Sequence, residues 1–139
     1  MTLNQIITQI KSYGVNHPQI NYVLFGEFAD KLDDEDVTYP AMFIDLQSAN
    51  FSAKQLSYVF NIYLLDRHLQ ETDALEVLSD MSLVAEDMVA LFRAPTTTWV
   101  VDDSLPMQFF READPDFLAG VRIDVTLTLP SLNNRCQIP

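Results

Sequence analysis

One cysteine, three glycines, one tryptophan and eight basic residues are spread over 139 positions. Each scarcity removes a class of protein. Cys136 alone cannot close an internal disulfide, so no disulfide framework supports the chain, which suits a reducing compartment. Gly14, Gly26 and Gly120 are too few and too far apart to build a glycine-rich phosphate loop. Lys11, Lys31, Lys54, Arg67, Arg93, Arg111, Arg122 and Arg135 stand singly, so no basic patch offers itself to a phosphate backbone. No apolar run approaches the roughly 18 residues that suggest a membrane span. The opening stretch Met1–Ile7 lacks the charged-then-apolar layout of a signal peptide.

What is abundant is acid. Twenty carboxylates give a net charge of -12, alongside 48% hydrophobic and 11% aromatic residues, a composition that buries a core. One α+β domain is expected over residues 1–130, followed by a C-terminal tail, 131–139. Leu3, Ile6, Ile7, Ile10 and Tyr13 recur at helical spacing behind Thr2 as N-cap, with Gly14 and Pro18 as stop signals. A short strand at Tyr22–Phe25 follows, then a polar segment, Lys31–Thr38, expected to be an exposed loop. Ala41–Leu46 reads as a second strand, Ser48–Lys54 as a turn or hairpin loop, and Gln55–Asp66 as a long third strand. That third strand is apolar on both faces, with Tyr58, Phe60, Ile62 and Leu64 against Val59, Tyr63 and Leu65. Such a strand needs cover on both sides, from a second layer or from a neighbouring subunit.

The main helix is expected from Thr72 or Asp73, burying Leu75, Leu78, Met81, Val84, Ala85, Met88, Val89 and Phe92, and ending before Pro95. A pair of strands, Thr97–Val101 and Met107–Glu112, is joined through Asp102 and Asp103. In the last strand Val121, Ile123, Val125, Leu127 and Leu129 alternate with Arg122, Asp124, Thr126 and Thr128, one face core and one face wet. The order argues a mainly antiparallel sheet with a long helix and a short N-terminal helix packed on it, plus a β-hairpin.

No catalytic constellation emerges. His17 and His68 are distant in sequence from Cys136, and a nucleophile needs its base within hydrogen-bond reach. Asp33, Asp34, Glu35 and Asp36 are consecutive, unlike the alternating ligands and central glycine of a calcium loop, so a solvated loop is the better reading. Asp66-Arg67-His68 reads as a polar turn. A sugar site would want exposed aromatics, and Trp99 is the only tryptophan. Neither an enzyme nor a cofactor or metal protein is expected. The tail is the odd feature, because Leu132, Cys136 and Ile138 are apolar for free coil, and extended segments add readily to sheet edges.

Tyr39-Pro-Ala-Met-Phe-Ile-Asp-Leu46, Phe60-Asn-Ile-Tyr-Leu-Leu-Asp-Arg67, the helix from about Thr72, and the run from Leu118 to Pro130 passing into Asn134–Pro139 together resemble the small tail-completion or tail-terminator proteins of tailed bacteriophages. The likeness covers nearly the whole chain in element order and length. It implies a structural virion protein, assembled in the host cytoplasm into a ring, usually a hexamer, at the head–tail junction. Its partners would be the tail-tube protein and the head-closure or connector proteins, with DNA passing through the channel without specific binding and no membrane involved. On that reading Asp33, Asp34, Glu35 and Asp36, then Asp102 and Asp103, are the candidates to line the channel, where carboxylates would repel phosphates. Leu132, Arg135, Cys136, Ile138, Tyr63 and Leu65 are the candidate inter-subunit contacts. The alternatives are another neck component, such as a head-closure or connector-ring protein, and a non-viral cytoplasmic adaptor subunit.

Overall fold

A computed structural model describes residues 2–26, 38–67, 74–94, 98–112 and 118–130. Their order is α1 (Leu3–Asn16), β1 (Tyr22–Phe25), β2 (Ala41–Ser52), β3 (Gln55–Arg67), α2 (Ala74–Phe92), β4 (Val100–Val101), β5 (Met107–Glu112) and β6 (Leu118–Pro130). The six strands form one sheet in the order β1-β2-β3-β6, with β4 and β5 both laid along the outer side of β6. Every pairing is antiparallel except β1 with β2. The fold is α+β, a mostly antiparallel sheet with two described helices against one face.

Local chemistry sets the helices. Thr2 and Gln5 form a capping box, in which the Thr2 hydroxyl accepts from the Gln5 amide (3.2 Å) and the Gln5 side chain accepts from the Thr2 amide (2.8 Å). α1 then buries Ile6, Ile10 and Gly14, one residue per turn. α2 buries Val77, Met81, Val84, Ala85, Met88 and Phe92. Leu75 was expected in that stripe and is instead 77% exposed. It lies two positions from Val77, about 200° round a helix of 3.6 residues per turn. At the end of α2 the Trp99 indole N–H donates to the Phe92 carbonyl at 2.9 Å, satisfying an otherwise orphaned helix acceptor. Phe92 also meets Tyr13 edge-on at 5.6 Å, which ties the two helices together.

The helices cover the rows Met42–Leu64–Val121, Ile44–Ile62–Ile123 and Leu46–Phe60–Val125. On the opposite face Ala41, Phe43 and Leu65 are fully buried, packed by Tyr22, Leu24, Tyr39, Tyr63 and Phe110. The doubly apolar β3 is therefore covered on both sides, on its far side partly by aromatic residues of the same chain.

Two segments differ from expectation. β2 continues to Ser52 instead of looping out at Ser48, because β3 supplies a ladder partner for each residue after a bulge at Leu46/Ser48. The turn shrinks to Ala53 and Lys54, with Lys54 at φ 139°, a conformation glycine adopts more easily. β4 and β5 do not form a hairpin with each other; each pairs with β6, and the Asp124 amide donates to the Pro106 carbonyl between them.

A side chain on Gly120 would collide with the Leu64 carbonyl and sit 2.9 Å from a Leu65 methyl, whereas one on Gly14 would meet only the side chains of Met42 and Val23, at 2.7 Å. Backbone cannot swing aside as a thioether can. Gly120→Ala should therefore cost about 2–3 kcal/mol or more. In Gly14→Ala, helix propensity worth about 1 kcal/mol offsets part of the crowding. Urea unfolding of the two variants checks this, and equal losses would contradict it.

Candidate functional site

The described surface carries three features of note. The first is a polar row on the sheet face away from the helices. Asp45, Asn61 and Asp124 are direct neighbours across β2, β3 and β6. Arg122 turns onto Asp124, with Nε 3.0 Å from Oδ1 and Nη2 3.3 Å from Oδ2. The shorter contact is poorly aligned for a hydrogen bond, so charge and the longer bond hold the pair. Gln47 donates to Asp45 at 2.8 Å. With Asp124 committed to Arg122 and Asp45 to Gln47, the row is sheet-surface packing and offers no free acid–base couple.

The second feature is a groove of about 620 Å³ where α1 ends beside α2, lined by His17, Pro18, Asp80, Leu83, Asp87 and Leu91 among others. His17 is pinned at both nitrogens: Nδ1 accepts from the Gln19 amide at 3.1 Å, which leaves Nε2–H to donate to Asp87 at 2.9 Å. The imidazole joins the helix ends and has no nitrogen left for a substrate. Among the described residues no three His, Cys, Asp or Glu side chains gather to hold a metal ion, and no helix is long and apolar enough to cross a membrane.

The third feature is the β4–β5 border. Val100 is 68% exposed, Met107 39% and Phe109 55%. Beside Met107, on the helix side of the sheet, lies a cavity of about 240 Å³ between α2 and β5, bounded by Ala85, Val89, Leu105, Met107 and Ile123, with the exposed Glu86 and Arg93 also lining it, while Val100, paired with Thr128, lies on the opposite face. Arg93 reaches across to donate to the main-chain carbonyl of Asp103 at 2.6 Å, fixing the turn that carries Asp102 and Asp103. Both carboxylates are exposed there.

Of the residues singled out from the sequence, only some fall on this surface. Asp102 and Asp103 sit on the β4–β5 turn. Tyr63 is partly exposed on β3 and meets Phe110 edge-on. Leu65 is fully buried within the chain, which leaves it no surface to offer a neighbour. Asp33, Asp34, Glu35 and Asp36, and Leu132, Arg135, Cys136 and Ile138, lie outside the described residues. Phe109, an aromatic residue of β5, is exposed. The pair Phe109–Phe110 held the signal: adjacent strand residues point to opposite faces, and only Phe110 reaches a buried cluster.

Compared with known proteins, the chain matches no family model and no curated protein.

Asp66 is half-buried at the end of β3, and its titration is displaced upward. Burial raises it from 3.8, the Arg67 amide bond lowers it in part, and the charge of Asp80 raises it again. The native chain thus keeps this proton to higher pH than the unfolded chain does. The contribution to stability falls as pH rises from about 4 through the native pKa. Asp66→Asn should raise the thermal midpoint at pH 7 and leave it unchanged near pH 3. A lower midpoint at pH 7 than the parent chain would contradict the sign.

Proposed function

We propose that this chain is a structural subunit of the head–tail junction of a tailed bacteriophage, assembling into a ring that ends the tail tube and joins it to the head while DNA passes through. The observation that carries the reading is the β4–β5 border, an outer strand with apolar side chains turned to solvent beside an apolar cavity. Such a border suits a neighbour better than it suits water. A contact between this border and a different patch on the next copy is heterologous, the kind that closes into rings. The order and length of the elements in the sequence support the same class. The long helix belongs to that likeness.

Charge gives the channel its character in this account. Eight scattered cations against twenty carboxylates leave nothing to grip phosphate. Asp102 and Asp103, exposed on their turn, and Asp33 to Asp36 are the residues we assign to the channel side, where repulsion lets a duplex slide. The whole surface serves assembly, and no catalytic step is assigned.

A ring of copies each carrying -12 has to overcome mutual repulsion. The Debye length shrinks from about 30 Å at 0.01 M salt to about 10 Å at 0.1 M. Sedimentation velocity should therefore show the ring fraction growing as salt rises over that range, towards a species six times the 15.8 kDa of the chain. A chain that stays single or paired at all salt concentrations favours an adaptor and overturns the proposal.

A further inference from the structure

The two ends of β2 differ in what they present. At its far end β2 turns into β3 through Ala53 and Lys54, and Phe51 beside that turn is 74% exposed. Lys54 is the only charged residue from 46 to 65, in a chain of net charge -12. The turn therefore offers an aromatic ring and a cation, with no carboxylate between Asp45 and Asp66. Near the start of β2 lies the groove of about 620 Å³ between the end of α1 and α2. Asp80, Leu83, Asp87 and Leu91 line it from one face of α2, at helical spacings of three and four. Leu83 is 56% exposed and Leu91 37%. Pro18 and Ala90 add apolar surface, and no Lys or Arg lines the groove. Asp87 uses Oδ2 for His17, and Asp80 is exposed. The turn and the groove match in apolar character and are opposite in charge.

We propose that the β2–β3 turn of one copy docks in the α1–α2 groove of a second copy, with Phe51 against Leu83 and Leu91 and Lys54 against Asp80 and Asp87. Distance excludes the chain's own turn. A side chain on Gly14, in the last turn of α1, would meet Met42, which places the end of α1 at the start of β2. Phe51 lies nine residues further along β2, roughly 30 Å at the rise of an extended strand. The ladder to β3 holds β2 along that length, so the turn cannot fold back to its own groove. A second copy brings its turn without that constraint. Charge then selects the groove over the cavity beside Met107, because Arg93 lines that cavity and would face Lys54. The contact joins two different patches, so it is heterologous and passes from copy to copy. The inference rests on the ring reading in that it names one contact by which each copy holds the next.

Two damaged copies that repair each other test this, with full-length chains in sedimentation velocity near physiological salt. Phe51→Ser removes the ring and leaves the groove intact. Leu83→Lys puts a cation in the groove and leaves the turn intact. Both positions are exposed, and Lys suits a helix, so thermal midpoints should stay unchanged. Each variant alone should associate about tenfold or more weakly than the parent chain, the scale of losing one apolar anchor. Mixed in equal amounts they should form pairs that neither forms alone, the intact turn of one in the intact groove of the other. Leu75→Lys, on the same helix and 77% exposed but outside the groove, is the control and should associate like the parent. Unweakened association in either variant, a mixture that behaves as the sum of its parts, or a control weakened as much as Leu83→Lys overturns the proposal. A charge exchange needs neither of those variants to fold: Lys54→Glu and Asp80→Lys should each weaken association, and the two together in one chain should restore part of it. No restoration overturns the proposal as well. A parent that assembles while these variants behave like it removes this docking and leaves the ring reading standing; a parent that stays single at every salt concentration removes both.

Discussion

The antiparallel ladder between β3 and β6 is the constraint on which the other elements depend. Each strand is 13 residues long, and they pair without a break from Gln55–Pro130 to Arg67–Leu118. That register sets Leu64 beside Val121, Ile62 beside Ile123 and Phe60 beside Val125, the floor on which α1 and α2 lie. A slip of one residue would turn this apolar row to the other face. Gly120 shows how close the two backbones come, since the Leu64 carbonyl occupies the space of its missing side chain.

The same ladder explains the exposed border. β6 has one free side once β3 is paired, and two short strands fill it piecemeal, β4 at Leu127–Thr128 and β5 at Leu118–Ile123. Among the described residues, neither short strand pairs with a further strand on its far side. Met107 and Phe109 lie on the helix side of the sheet, beyond full cover by α2, which ends at Phe92 with that residue's carbonyl held by Trp99. The exposure of Met107 and Phe109 thus follows from where the helix cover stops. The acidic surface has a separate origin in composition, and the two features meet at the turn of Asp102 and Asp103 and at Glu86.

Much of this was legible in the sequence, for reasons particular residues make plain. β6 announced itself by strict alternation from Val121 to Leu129, and all five of those side chains are buried. α1 announced itself by Thr2, Ile6 and Ile10. The second half of β2 could not be read, because Ser48-Ala-Asn-Phe-Ser52 has turn chemistry and becomes strand only through its partner β3. The supposed hairpin of β4 and β5 was misjudged because closeness in sequence does not say which strand a neighbour pairs with. The candidate surface was the least legible part. Phe109 and Phe110 look alike in sequence, and only the sheet order decides that one is packed and the other exposed.

The central claim is that copies of this chain close on themselves around a channel. Electron microscopy of the purified full-length protein, near physiological salt, tests it most directly through class averages viewed down the axis. Closed rings with an open centre wide enough for a DNA duplex are the predicted result. Isolated single copies, or open filaments in place of rings, would contradict it.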